Sequence, residues 1–233
     1  MNKKFLIIIL CAFGWSKTPN FIGESLHFSA GFRMFNAGEA ILHVQVDSLN
    51  NELAYLLTTT IKTNSFLSNF YKINDVIKSW LSPKNLSLIK IIQSIRQGSY
   101  KKDHQAYIVG DSLAISSNKK IKLSEKVYDP IAFIYFLRLQ TLAIGNKYNF
   151  LSYDATKMKK VFVNVTKKEK ISVPAGTFNC YKIEPISGNN DPLFKNNGVM
   201  RIWISDDSLH LPIKIEQNTN IGTMVMKLKQ ISN

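Results

Sequence analysis

The side chains best suited to chemistry are dispersed through this 233-residue chain. The four histidines, His27, His43, His104 and His210, show neither an HExxH motif nor a two-histidine metal spacing. His27 and His43 fall on the polar sides of neighbouring strands, so they can face each other across a pair, although a wet sheet face explains them as well. Ser205, Asp206, Asp207 and His210 supply the residue types of a hydrolytic triad. No nucleophile elbow surrounds this serine, and a hairpin connection is the simpler expectation. Gly98 and Gly110-Asp111-Ser112 lack a phosphate-cradling pattern. No catalytic residue, metal ligand or cofactor is assigned.

Arg138 stands apart because it sits inside an otherwise apolar helical segment. A buried guanidinium needs a partner, since an unpaired ion in a low-dielectric interior costs several kcal/mol. Asp129 and Glu39 are candidate partners for a structural ion pair. The functional alternative puts Arg138 on a cavity wall, meeting an acidic head group, with Trp80 and Trp203 lining the same cavity. Arg138, Trp80 and Trp203 are therefore the ligand-binding candidates.

The elements that must position these residues are mostly strands. Leu26, Phe28 and Ala30 alternate with Ser25, His27 and Ser29, and Ala40, Leu42, Val44 and Val46 alternate with polar neighbours. Leu53 to Ile61 repeats the pattern after Asn50-Asn51, a pair suited to a turn because Asn tolerates left-handed backbone. The segment Phe66–Tyr71 begins a short helix or a loop. Strands are expected around Val76–Trp80, Leu88–Arg96, Ser99–Val109 and Leu113–Ser117. Asp129-Pro130 supplies a capping acceptor and a proline at the first helical position, so a helix runs from Ile131 to Leu142 and stops by Gly145. Further strands are expected over Lys159–Thr166, Glu169–Val173, Thr177–Pro185, Val199–Ser205, Leu211–Asn220 and Thr223–Ile231, with Pro174-Ala175-Gly176 as a tight turn. The fold class is mainly β: a strongly curved antiparallel sheet or open barrel packed around one principal helix, because curling hides one apolar face and leaves fewer open edges.

Met1-Asn2-Lys3-Lys4 followed by the apolar run Phe5–Phe13 has the form of a secretory leader and is too short to span a bilayer comfortably. The expected organisation is a signal peptide over 1–16, a flexible mature amino terminus over 17–23 and a single β-rich domain over 24–231. Bulky Leu10 before Cys11 disfavours lipoprotein anchoring. Cleavage leaves Cys180 as the single cysteine, which excludes an intramolecular disulfide and suits a small core hydrophobe. The chain has 30 Lys and Arg against 16 Asp and Glu, a net +14. Its densest basic blocks are Lys119, Lys120 and Lys122; Lys157, Lys159 and Lys160; and Lys167, Lys168 and Lys170. They interleave with apolar residues as a solvated sheet face would, and they also suit peripheral contact with an anionic membrane surface. Specific nucleic-acid binding is not expected, since the Gly-aromatic pattern of a single-strand-binding sheet is missing.

Ordered motifs carry a family resemblance. Glu24-Ser25-Leu26-His27-Phe28 and Phe35-Asn36-Ala37-Gly38-Glu39-Ala40 open the series, followed by Tyr128-Asp129-Pro130 through Leu137-Arg138 to Gly145. Val173-Pro174-Ala175-Gly176-Thr177-Phe178 with Lys182-Ile183 comes next, then Ile202–Asp207 with Leu211–Glu216, Ile221-Gly222 and Leu228. Together they resemble the DUF3108 family of bacterial exported proteins and cover nearly everything after the leader. The resemblance implies a β-rich envelope protein of a Gram-negative bacterium, with periplasmic localisation and no established reaction. Pro130 replaces the small residue that the family places after its capping Asp. A looser fold-level likeness to periplasmic lipoprotein carriers suggests a concave apolar cavity without fixing its cargo. The leading function is thus a non-catalytic envelope protein binding a lipid or other amphiphile. A scaffold that binds another envelope protein is the alternative, and an envelope enzyme is third.

Overall fold

The computed structural model describes residues 18–32, 35–110, 112–115, 119–153, 158–188, 198–219 and 222–232. The expected leader over 1–16 lies outside them. The elements in chain order are β1 (Ser25–Phe32), β2 (Phe35–Leu49), β3 (Glu52–Thr63), α1 (Ser65–Ser68), β4 (Asn74–Leu81), β5 (Leu88–Gln97), β6 (Tyr100–Val109), β7 (Ser112–Ile115) and β8 (Lys119–Lys122). There follow β9 (Val127–Tyr128), α2 (Pro130–Arg138), β10 (Lys147–Tyr153), β11 (Met158–Val173), β12 (Gly176–Ser187), β13 (Val199–Ser205), β14 (Pro212–Thr219) and β15 (Gly222–Ser232).

All the strands form one sheet, ordered β8-β7-β6-β5-β4-β3-β2-β1-β15-β14-β13-β12-β11-β10-β9. The short β9–β10 pairing is parallel, and the other strand pairs are antiparallel. The sheet is curved and unclosed, as the alternating pattern predicts. Its two flanks nevertheless approach each other: His104 of β6 shares a 2.6 Å hydrogen bond with the Tyr153 hydroxyl of β10. Burial, and then the nearby Lys102 charge, hold His104 below its ordinary pKa.

Local chemistry sets the turns. Asn50 and Asn51 both adopt positive φ, 55° and 63°, which joins β2 to β3 in a two-residue connection. Pro174-Ala175 joins β11 to β12, with Gly176 at φ 135°. The two strands expected over Lys159–Thr166 and Glu169–Val173 are one, β11. A register shift between Val165 and Lys167 lets the strand continue while the side-chain alternation breaks.

Helix α2 fills the concave side. The Asp129 side chain accepts from the Ile131 and Ala132 amides at 2.9 and 3.0 Å, and Pro130 occupies the first turn. The helix ends at Arg138 rather than continuing to Leu142, because the Leu139 amide turns back to Phe136 and Leu137 and the Leu139 side chain faces solvent. Phe133, Ile134 and Leu137 pack with Phe150, Val161, Ile183, Ile202 and Ile204. Ala132 and Tyr135 pack with Phe21, Leu26, Phe28, Leu42 and Leu57. The helix is thus the wedge on which both halves of the sheet converge, and each large side chain buried there contributes roughly 1.5–3 kcal/mol. Residues 18–23 are tied to the fold at two points. The Gly23 amide donates to the Val44 carbonyl at 2.8 Å, and Phe21 is buried edge-on against Tyr135 at 5.1 Å. Among the described residues no helix is long and apolar enough to cross a membrane.

Candidate functional site

Arg138 leaves α2 at its last residue and points into the core, where it is 5% exposed. Its partner is Glu24, neither Asp129 nor Glu39. Nη1 and Nη2 donate to Oε1 and Oε2 at 2.5 and 2.8 Å, and Nε donates to the Leu209 carbonyl at 3.2 Å. The rings of Phe21 and Tyr135 flank the guanidinium, each centred 5.1 Å from Cζ. Asp129 caps the other end of the helix, and Glu39 lies on the surface of β2. A buried fork-on-fork pair, flanked by two rings, describes a clamp between the amino-terminal turn, α2 and the β13–β14 connection. The Tyr135 hydroxyl beside it is fully buried without a hydrogen-bond partner among the described residues, and burial, together with the Glu24 charge, pushes its pKa up.

The remaining polar candidates are also held in structural bonds. The Ser205 hydroxyl donates to Asp207 Oδ1 at 2.9 Å and accepts from the Leu211 amide at 2.8 Å. His210 turns away from Ser205 and bonds the Arg138 carbonyl through Nδ1 at 3.1 Å, satisfying a free carbonyl at the helix end. The expected hairpin connection is therefore what this cluster builds. His27 and His43 share a sheet face but are not opposite each other, since His27 pairs with Ile41 and His43 with Ser25. Burial pushes the Cys180 thiol up to about 12.

Trp80 and Trp203 are apart from Arg138 and from each other. Trp80 is half-buried on β4, and its Nε1–H donates to Asp47 at 2.8 Å. Trp203 is buried on β13, where its Nε1–H donates to Glu169 at 2.5 Å and Lys214 lies 4.4 Å above the ring. The strand registers place it in a row that runs Lys62, Glu39, Ser29, Lys227, Lys214, Trp203, Lys182 and Lys167 across the sheet. Lys167, Lys182 and Lys214 are each neutralised by Glu169, Glu184 and Glu216 two positions along their own strands, at 2.6–2.8 Å. Lys167 and then Trp203 hold Glu169 below its ordinary pKa. Burial works to raise Glu216, but Lys214 and Arg201 together keep it low.

Lys62 and Lys227 of that row have no ion-pair partner among the described residues, and nor does Lys229. Lys227 and Lys229 border an open groove of about 940 Å³. Its floor is β1, β2 and β15, where Ser29 stands opposite both Glu39 and Lys227. Its wall is the β11–β12 turn, tied down by the Ala175 amide bonding the Leu228 carbonyl at 3.0 Å. Phe35, Val173, Pro174 and Val225 supply apolar lining, and Asn36, Asn64 and Ser172 supply polar groups. Gly38 is required at the floor: a Cβ there would lie 2.0 Å from the Lys62 carbonyl oxygen. Sequence reasoning misses this groove, because it is assembled from strand ends and one turn far apart in the chain. Among the described residues no His, Cys, Asp and Glu side chains group to hold a metal ion.

The family model described as a protein of unknown function, DUF3108, matches residues 26–229. The chain belongs to the DUF3108 family. Nearly all of the sheet and the whole groove lie within the matched span. No curated protein matches this DUF3108 chain. Among solved structures, a β-barrel-like protein of the DUF1849 domain from Brucella abortus aligns with a TM-score of 0.61 at 7% identity, covering 91% of this chain and 98% of the other. That likeness establishes a shared fold. A protein proposed to be exported, with a YmcC-like fold, from Bacteroides fragilis aligns at a TM-score of 0.36 and 10% identity over 92% and 98% of the two chains. A proposed lipoprotein from Parabacteroides distasonis aligns at 0.32 and 14% identity over 92% and 97%.

Proposed function

We propose that this DUF3108 protein is a non-catalytic exported envelope protein that holds an anionic amphiphile in the groove between β1, β2, β15 and the β11–β12 turn. The observation that carries the reading is the pairing, in one open groove, of apolar walls with the unneutralised lysines Lys227 and Lys229. A volume of about 940 Å³ is in the range that receives small organic ligands. An acyl chain would lie along Phe35, Val173, Pro174 and Val225, with its acidic head between the two ammonium groups. Arg138, Trp80 and Trp203 do not line this groove. Export to the periplasm is supported by the basic start and apolar run of residues 1–16.

The test is native mass spectrometry of gently purified protein, followed by denaturation and lipid extraction of the same sample. A reproducible non-covalent adduct that extracts as an acidic amphiphile is expected. Reversing both charges with Lys227→Glu and Lys229→Glu should lower its occupancy at least about tenfold, because head-group attraction becomes repulsion. A clean apo mass after incubation with envelope lipids would overturn the reading in favour of a scaffold for another envelope protein.

A further inference from the structure

The groove opens beside a concentration of exposed aromatic rings. Phe35, Phe66 and Phe70 are 77%, 71% and 76% exposed, with Tyr71 and Tyr100 about half exposed. Single exposed apolar residues are ordinary, but these adjoin. Phe66 and Phe70 lie 5.6 Å apart across α1, and the Asn64 side chain that caps α1 donates to the Asn36 carbonyl next to Phe35 at 2.8 Å. The Tyr71 hydroxyl donates to the Gln97 carbonyl, and Gln97 pairs with Tyr100. One end of the sheet thus presents aromatic rings from the start of β2, the β3–β4 connection and the start of β6.

The rings are held outward by a stiff support. Thr63 Oγ1 meets the Ser68 hydroxyl at 2.9 Å and accepts from the Ile73 amide at 3.0 Å, so the connection is closed at its base by side-chain bonds. The stretch from Thr63 to Asn74 holds no carboxylate and carries Lys72. Exposed Lys62, Lys72, Lys101 and Lys227 surround this end, against Glu39 and Asp103. Asp103 is already engaged by Arg96 through two bonds at 2.7 and 2.9 Å. Phe35 and Asn64 also line the groove.

We propose that this end docks onto an anionic lipid bilayer, with Phe66 and Phe70 entering the interfacial layer and the flanking lysines meeting acidic head groups. Aromatic rings ringed by lysine suit the boundary between acyl chains and head groups, where one end of a side chain is dry and the other wet. The inference rests on the amphiphile reading only in supposing that the groove faces the surface from which it is loaded.

Flotation with vesicles of phosphatidylethanolamine and phosphatidylglycerol, compared with phosphatidylcholine alone, tests it. The expected result is flotation with the first and not the second, reduced at least about tenfold in the double variant Phe66→Ser and Phe70→Ser. Since both rings are exposed, the unfolding midpoint of that variant should not move. A single Phe70→Trp variant should show a blue-shifted emission on addition of the anionic vesicles. Failure of the wild-type chain to float, or undiminished flotation of the double variant, overturns the proposal. Native masses recorded on the same samples separate the two ideas. Flotation without an adduct removes the groove reading alone, and an adduct without flotation removes the docking alone.

Discussion

Replacing Arg138 with Met should be among the most destabilising single changes available in this protein. Met keeps the unbranched stem and deletes the guanidinium, so the Glu24 carboxylate, 6% exposed, is left in the core without its bidentate partner. The change also removes the bond to the Leu209 carbonyl and the packing of the guanidinium between Phe21 and Tyr135. Breaking a buried pair in this way costs about 3–5 kcal/mol. For a domain of this size that corresponds to a fall in melting temperature of roughly 6–20 °C. The paired change Glu24→Leu with Arg138→Met removes both charges and should recover most of the loss, because neither desolvated ion remains. Urea unfolding of the wild type, both single variants and the double variant closes the cycle. A loss below about 1 kcal/mol for Arg138→Met, or strictly additive single effects, would refute the clamp.

Two further outcomes follow from buried groups around the same helix. Burial raises Asp129 from 3.8 to about 6, overcoming the opposing pull of the Ala132 and Ile131 amides. The folded chain therefore keeps a proton that the unfolded chain has lost between about pH 4 and 6, so this group favours folding most at acid pH and loses that contribution as pH rises through about 6. Asp129→Asn preserves a capping acceptor, and the difference between variant and wild-type urea midpoints should grow across that window by the equivalent of up to about 3 kcal/mol; parallel pH profiles would count against it. Tyr135→Phe removes a hydroxyl that is buried without a partner among the described residues, and it should leave stability unchanged or raise it by about 1 kcal/mol, as differential scanning calorimetry would show.

Elements whose information is local are legible in the residues alone. Asp129-Pro130 starts α2, Asn50-Asn51 makes the β2–β3 turn, and the alternation of Leu26 and Phe28 with polar residues marks β1, because each signal is written within a few residues. The partner of Arg138 is not legible in this way, since Glu24 lies 114 positions away on an approach to β1 that polarity alone marks as surface. The end of α2 is overrun because Leu139 and Leu142 continue the apolar composition, although the backbone has already turned. Strand β10 is missed by its pattern, since Lys147-Tyr-Asn-Phe-Leu-Ser-Tyr153 alternates poorly and buries consecutive residues at its end. The groove is out of reach for a different reason: its lysines look like any solvated lysines until the register puts them beside Val173 and Pro174.

The strand order places β1 in the middle of the sheet, hydrogen-bonded on one side to β2 and on the other to β15. Each half, β1 to β8 and β9 to β15, is a run of sequential neighbours that can zip locally, whereas the joint between the halves closes a loop of nearly the whole chain. The entropy of that closure is on the order of 5 kcal/mol, and it must be met before the joint gains a single hydrogen bond. Until β15 has been made, β1 is an unpaired strand edge in the centre of the future sheet, open to pairing with other chains. Assembly therefore ends at that central seam: a cut between β8 and β9 would leave two self-templating halves whose reunion reports its folding, whereas a circular permutation there would make β15 and β1 sequential neighbours and remove the long closure.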